Sequence, residues 1–274
     1  MPLDLQGPLL LAGAGKMGGA ILSGLFARGF DPRGVIVQDP NPPKDVASFL
    51  ADRAIDTVPL IDELSAPPSV ILLAVKPQIM DDVLPGLARL AGPATLVLSI
   101  AAGRRLAGIE KHFAAQTGVV RAMPNLPASI GRGVTVATAN GNVTPVQQAV
   151  ATELLGAVGD VLWVEDESLL DAVTAVSGSG PAYVFLLAEC LAQAGREAGL
   201  DATLAGELSR ATIIGAAALL EQSGTPPAIL RESVTSPGGT TAAALAVLQG
   251  PEGLQKLISA AVAAAAKRGR ELGK

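Results

Sequence analysis

The chain is poor in the residues that most often carry polar chemistry. Among 274 residues there is one histidine, one cysteine, one tyrosine and one tryptophan, and charged residues make up only 16%. A lone cysteine, Cys190, rules out an intrachain disulfide and fits a reducing compartment, so a cytoplasmic location is expected. One histidine and one cysteine leave no His/Cys cluster for zinc, and no metal site is expected. A formal net charge of −5 with no basic run gives nucleic acid no electrostatic footprint. No stretch approaches the ~20 uninterrupted apolar residues of a membrane span. The alanine-rich stretch 257–266 is short and is followed by Lys267, Arg268 and Arg270. The first apolar run has no basic residue before it and ends in a glycine loop, so it reads as a strand rather than a signal peptide.

What the chain does have is apolar surface. Hydrophobic residues make up 49%, which predicts a large core and further surface buried against another copy, a homodimer at least. Up to about residue 165, short β-branched runs alternate with helical stretches, the pattern of a parallel sheet with crossover helices. Strands are predicted over 8–12, 34–38, 70–75, 95–99, 118–123, 134–137 and 161–164. Helices are predicted between them over 17–28, 79–90 and 145–155. Beyond residue 165 the strand runs stop, and Ala/Leu-rich helices are predicted over 181–199, 202–222, 239–249 and 252–271. Breaks fall at Gly199-Leu200-Asp201, Ser223-Gly224-Thr225-Pro226-Pro227 and Thr235-Ser236-Pro237-Gly238-Gly239. The expected fold is α/β: a Rossmann-type, doubly wound sheet over 1–165, then an all-helical domain over 166–274.

The first turn carries a phosphate-loop pattern. Gly13-Ala14-Gly15-Lys16-Met17-Gly18 follows a predicted strand and opens a predicted helix, the context that gives G-x-G-x-x-G its meaning. Gly13 permits the tight turn, Gly15 lets backbone approach a pyrophosphate, and Gly18 allows helix to pack on strand. The first helical N–H groups then face the phosphates. Asp39 stands twenty-one residues after Gly18, where an acid holds the adenine ribose and favours NAD. Asn41 and Lys44 follow closely and would meet a 2′-phosphate, so both NADPH and NADH stay open. A solvated turn is the alternative for all three.

Ligands of such sheets lie beyond the carboxyl ends of the strands. Ala74-Val75-Lys76-Pro77 ends one strand, with Pro77 suited to a first helical turn. Ile100-Ala101-Ala102-Gly103 ends the next, and its small side chains let a cofactor pass close to backbone. Asn125, in Met123-Pro124-Asn125, ends a third. Cys190 reads as core and His112 as a surface residue on a helix. Tyr183, a turn inside an apolar helix, reads as packing rather than as a general acid.

Two further motifs lie in the helical part: Ser177-Gly178-Ser179-Gly180-Pro181-Ala182-Tyr183 and Val234-Thr235-Ser236-Pro237-Gly238-Gly239-Thr240-Thr241. With the glycine loop, Ala74-Val75-Lys76-Pro77-Gln78 and Met123-Pro124-Asn125, the chain resembles the pyrroline-5-carboxylate reductase family over essentially its whole length. The Ser-Pro-Gly-Gly-Thr-Thr segment is the most specific part. Ser236 is a good N-cap and Pro237 fits the first helical position. Gly238 and Gly239 form helix poorly but let a ligand reach bare N–H groups, which suits a carboxylate. Thr240 adds a hydroxyl beside them.

The resemblance implies an NAD(P)H-dependent enzyme that reduces 1-pyrroline-5-carboxylate in proline biosynthesis. It also implies interleaved helical domains that dimerise. Ser177, Gly178 and Ser179 would lie near nicotinamide and substrate, and the hydroxyl of Thr241 would face the ring nitrogen. The main competitor is a β-hydroxyacid dehydrogenase, which shares the two-domain plan but uses a lysine early in the helical domain. No lysine occurs between Lys111 and Lys256, so that reading loses its key residue. A dinucleotide-binding regulator without turnover is the other alternative, and the intact Ser236–Thr241 motif argues against it.

Overall fold

A computed structural model describes Leu3 and residues 5–273. Eight strands form one sheet: β1 (Leu9–Ala12), β2 (Val35–Gln38), β3 (Thr57–Val58), β4 (Val70–Leu73), β5 (Leu96–Ser99), β6 (Gly118–Met123), β7 (Gly133–Ala139) and β8 (Gly159–Trp163). Their order is β3-β2-β1-β4-β5-β6-β7-β8. The chain returns to both sides of β1, with β1 paired in parallel to β2 and to β4. That reversal leaves a crevice at the carboxyl end of β1, where this class of sheet binds ligands.

The helices are α1 (Lys16–Ala27), α2 (Lys44–Ala51), α3 (Met80–Leu90), α4 (Leu106–Glu110), α5 (Pro145–Gly156), α6 (Leu170–Val173), α7 (Gly180–Glu197), α8 (Ala202–Ser223), α9 (Pro227–Ser233), α10 (Thr240–Leu248) and α11 (Leu254–Leu272). Side chains alternate across a strand, and β1 shows what that alternation does. Leu9 and Leu11 pack with Ile21, Leu22, Leu154 and Leu155 on one face. Leu10 and Ala12 pack with Met80, Leu84, Leu87 and Ile109 on the other. A strand buried on both faces reads as the continuous apolar run seen here.

One pairing departs from the expectation of a parallel sheet. β7 runs antiparallel to β6, because residues 124–132 are too few for a crossover and instead turn through the 3-10 segment Leu126–Ile130. β8 then pairs in parallel with β7 through α5. α5 itself begins with a capping box, Thr144 with Gln147, and Pro145 in its first turn. The two-residue strand β3 and the short helices α2 and α9 had no sequence expectation.

The chain divides into two compact units, one of residues 1–178 with 266–274 and the other Ser179–Ala265. The composition changes earlier, near residue 165. In the second unit, α7 and α8 form a helical hairpin across Gly199 (φ +102) and Asp201, whose carboxylate caps the N–H groups of Thr203 and Leu204. The Oγ of Ser209 donates to the carbonyl of Ala188, and Ala205 and Ser209 are buried. Small residues therefore bring the two helices close, as their composition predicts. Most of their larger side chains are exposed in the single chain, among them Val184, Phe185, Leu186 and Leu187. Cys190, expected in the core, is exposed too, and Tyr183 is half-buried. By length and composition alone, residues 167–197 and 202–223 could cross a membrane.

Candidate functional site

The glycine loop is built around one close approach. Gly13 has φ +91, and a Cβ there would lie 2.8 Å from the carbonyl carbon and oxygen of Ala74 and from the Val75 nitrogen. Backbone strain and contact both require glycine. A Cβ on Gly18 would meet the Gly13 carbonyl oxygen at 2.6 Å and the Ala74 Cβ at 3.3 Å, so Gly18 seats α1 against the loop. Gly15 differs, because a Cβ there would meet nothing within 4 Å. The space over Gly15 is open, as the approach of a pyrophosphate requires. α1 starts at Lys16 with no side-chain cap and no acidic residue in its first turn. Its N–H groups and dipole are therefore uncompensated and suited to an anion.

Asp39 has a role that the sequence did not disclose. Its Oδ2 accepts the Ala14 N–H at 2.7 Å and its Oδ1 accepts the Asn41 N–H at 2.8 Å. The carboxylate thus ties the glycine loop to the end of β2, and its remaining lone pairs can still take a ribose hydroxyl. Lys44, the first residue of α2, is exposed, as is Asn41.

The later strand ends lie in the same unit. The Ala74 N–H donates to the Ala12 carbonyl at 2.8 Å, and exposed Lys76 precedes the 3-10 turn Pro77–Ile79. The Ile100 N–H donates to Leu73, and the Ala101 N–H to Ser99 Oγ. Ile100 and Ala101 are buried while Ala102 is exposed. Asn125, expected to face the cofactor, is 9% exposed, and its Oδ1 accepts the Val134 N–H at 3.0 Å, pinning the β6–β7 turn. Gly178 ends a π-helical segment, Thr174–Gly178. A Cβ on it would lie 2.9 Å from the Met123 Cε, so this segment packs on the end of β6. Ser177 Oγ donates to the Val173 carbonyl at 3.0 Å. Pro181 has no N–H to return to the Ser177 carbonyl.

The other predicted substrate residues, Ser179 and 238–241, belong to the second unit. There the start of α10 differs from the sequence expectation. Ser236 and Pro237 precede the helix in a turn, and Gly239 is the N-cap, with Thr240 the first helical residue. Gly238 has φ +70, and a Cβ on Gly239 would clash with Ser236 Oγ. A side chain at residue 239 would have to displace the Ser236 hydroxyl, so the turn favours a glycine cap. α10 has no side-chain cap and no acid in its first turn. Thr240 is exposed and Thr241 half-buried.

Near the loop after β5, Asp81 gathers two cations, Arg104 and Lys111, and the His112 ring. Arg104 bonds to its Oδ1, with His112 Nε2 at 3.2 Å and Lys111 Nζ at 3.5 Å. The Arg104 hydrogen bond, helped by His112 and by the nearby positive charge, holds the Asp81 pKa down at about 2. His112, expected at the surface, keeps only 17% of its side chain exposed in this cluster. Among the described residues no group of three His, Cys, Asp or Glu could hold a metal ion.

Comparison with known proteins matches the two motif-bearing parts separately. A family model described as pyrroline-5-carboxylate reductase dimerisation matches residues 167–272. One described as NADP oxidoreductase, coenzyme F420-dependent, matches residues 9–103. A pyrroline-5-carboxylate reductase of Synechocystis is 44% identical over 268 residues, 96% of this chain and 97% of that protein. The structure of a pyrroline-5-carboxylate reductase from Coxiella burnetii superposes with a TM-score of 0.90 at 35% identity, over 98% of this chain and 99% of the other. The Plasmodium falciparum pyrroline carboxylate reductase with NADP bound superposes with a TM-score of 0.82 at 27% identity, over 99% and 100% of the two chains.

Proposed function

The chain belongs to the pyrroline-5-carboxylate reductase family, and from that premise we propose that it reduces 1-pyrroline-5-carboxylate to L-proline with NAD(P)H. The observation that carries this reading is a pair of uncapped, glycine-led helix starts. One is α1 in the first unit and the other is α10 in the second. A reductase of a cyclic imino acid needs two anion sites, one for the dinucleotide pyrophosphate and one for the substrate carboxylate.

The first turn of α1 takes the pyrophosphate, with open space over Gly15 to admit it. Asp39 keeps the Ala14 N–H, and with it the loop, in place. The strand-end residues Ala74–Pro77 and Ile100–Ala102 border the rest of the cofactor, with Ser177, Gly178 and Ser179 toward the nicotinamide. When bound, NAD(P)H supplies hydride to the imine carbon. The first-turn N–H groups beginning at Thr240 hold the carboxylate and so fix the ring, the Gly239 N–H being taken by the Ser236 carbonyl. Thr241 sets its hydroxyl against the ring nitrogen, where it can donate or accept. A pyrrolinium is already electrophilic, so positioning supplies much of the rate. The apolar second unit pairs with a second copy of the chain.

Oxidation of NADPH followed at steady state with 1-pyrroline-5-carboxylate tests the activity. No oxidation above the enzyme-free rate would end the proposal. For the cofactor we propose NADPH, because Lys44 stands exposed at the start of α2, where a 2′-phosphate would meet it. Lys44→Ala is expected to raise KM for NADPH by about tenfold, the lower end of the ~1.5–3 kcal/mol of a charged hydrogen bond, and to leave KM for NADH unchanged. Equal effects on both cofactors would remove Lys44 from the site.

A further inference from the structure

The loop between β5 and α4 is held by residues far from it in sequence. α4 has no side-chain cap from its own N-cap residue, Arg105. Its first N–H, that of Leu106, is instead accepted by Glu167 Oε1 at 2.8 Å. The same oxygen accepts from Arg121 Nη1 at 2.8 Å. Arg121 lies on β6 with 7% of its side chain exposed, and 27% of Glu167 is exposed. A carboxylate at a helix start is favoured by the dipole, and a buried guanidinium, which keeps its charge, is costly without such a partner.

A second anchor comes from the end of α11. Gly103 has φ +75, and a Cβ on it would lie 3.6 Å from the Leu272 carbonyl oxygen. A Cβ on Gly273 would lie 3.4 Å from the Gly103 carbonyl oxygen and 3.7 Å from Arg105 Nε. The loop 100–106 is thus held by Glu167, the first residue of the stretch matched as a dimerisation family, and lies close to Leu272, its last.

We propose that Glu167 is a positioning residue for the cofactor, one that fixes the β5–α4 loop through the Leu106 N–H and the Arg121 guanidinium. This rests on the reading that Ile100–Ala102 border NAD(P)H. Glu167 touches neither the cofactor nor the imine. Its loss loosens a wall of the nucleotide site without altering the groups that act on the substrate.

The test is NADPH titration by fluorescence on wild type, Glu167→Ala and Glu167→Gln, with steady-state rates on the same preparations. Glu167→Ala is expected to raise Kd and KM for NADPH about tenfold, the equivalent of ~1.4 kcal/mol. At saturating cofactor, kcat and the KM for the imine should hold within about twofold. Glu167→Gln keeps an oxygen for the Leu106 N–H but loses the charge opposite Arg121, and falls between. A purely structural role would lower the melting temperature and leave the KM-against-kcat split untouched, which overturns the proposal. If Glu167→Ala does not fold, wild-type NADPH affinity in Glu167→Gln overturns it equally. A wild type that binds NADPH but does not turn over the imine defeats the proposed activity and leaves this inference standing. A wild type that binds no NADPH defeats both.

Discussion

The hydroxyl of Thr241 stands two residues beyond Gly239, the glycine that caps α10. Because that cap is Gly239, Thr241 is not needed to start the helix. Thr241→Ala is therefore expected to cost rate rather than stability. A hydrogen bond to a charged nitrogen contributes ~1.5–3 kcal/mol, so kcat/KM for the imine should fall roughly ten- to a hundredfold. NADPH affinity should hold, and Thr241→Ser should keep most of the activity. A Thr241→Ala enzyme with wild-type rate and a lowered melting temperature would sink the assignment. Asp81 gives a pH dependence. Its pKa lies at about 2, below the ordinary 3.8, so its contribution is complete above about pH 3.8 and is lost as pH falls through about 2. Asp81→Asn should lower the melting temperature at pH 7 and meet the wild-type curve near pH 2. The carboxylate is half exposed, so the gap should narrow in high salt. A gap of constant size from pH 7 to 2 would remove the ion cluster as its cause. Much of this scale is legible in sequence: Gly13, Gly15 and Gly18 announce their loop because their spacing is itself the geometry. The bond from Ala14 N–H to Asp39 is not, because it joins two strand ends that only the folded sheet brings within 2.7 Å.

Helix α1 shows packing overruling propensity. Alanine is favoured over glycine inside a helix by ~1 kcal/mol, yet a Cβ at Gly24 would run into the backbone carbonyl of Ala157. A carbonyl fixed in the chain cannot rotate aside, and overpacking of this kind costs ~1–3 kcal/mol. Gly24→Ala should lower stability by up to about 2 kcal/mol net. At Gly86 in α3, the nearest atom to such a Cβ is Leu60 Cδ1 at 4.0 Å. There the same substitution should raise stability by up to ~1 kcal/mol. Chemical denaturation of the two variants side by side checks the pair, and shifts of one sign would refute the packing argument. The long helices and α5 were readable from their helical runs, while the capping box of Thr144 and Gln147 came with the structure. The reversal of β7 was not, since a strand pattern carries no direction. Nor was the true start of α10, because Ser236 and Pro237 look like a cap and first turn until the Ser236 hydroxyl is seen over Gly239.

At the scale of the molecule, four consecutive residues of α7, Val184 to Leu187, are exposed in the single chain. Four residues go round a full turn, so α7 shows exposed side chains on more than one side along that stretch, beside the part that packs on α8. One flat partner surface would cover only one side. Intertwined helices of a second copy would cover them all, which fits the family match over 167–272. Phe185→Glu should raise the dimer dissociation constant by at least about tenfold, since a buried aromatic contributes ~1.5–3 kcal/mol. Sedimentation indistinguishable from wild type at micromolar concentration would show that α7 is not the interface. The apolar composition made an oligomer legible. Which side chains lie uncovered, Cys190 among them, required the fold.

The first unit is discontinuous, with residues 266–274 joining it after the whole of Ser179–Ala265. A ribosome delivers those two pieces far apart in time. The glycine loop, the sheet and Glu167 emerge early, but Gly103 and Asp171 receive their neighbours Leu272 and Gly269 only after the intervening helices have been made. A nascent chain at residue 260 therefore holds every predicted dinucleotide contact and still lacks the last turns of α11. The approach of α11 to Gly103 and Asp171 comes late in synthesis, after the helices of the second unit are already out.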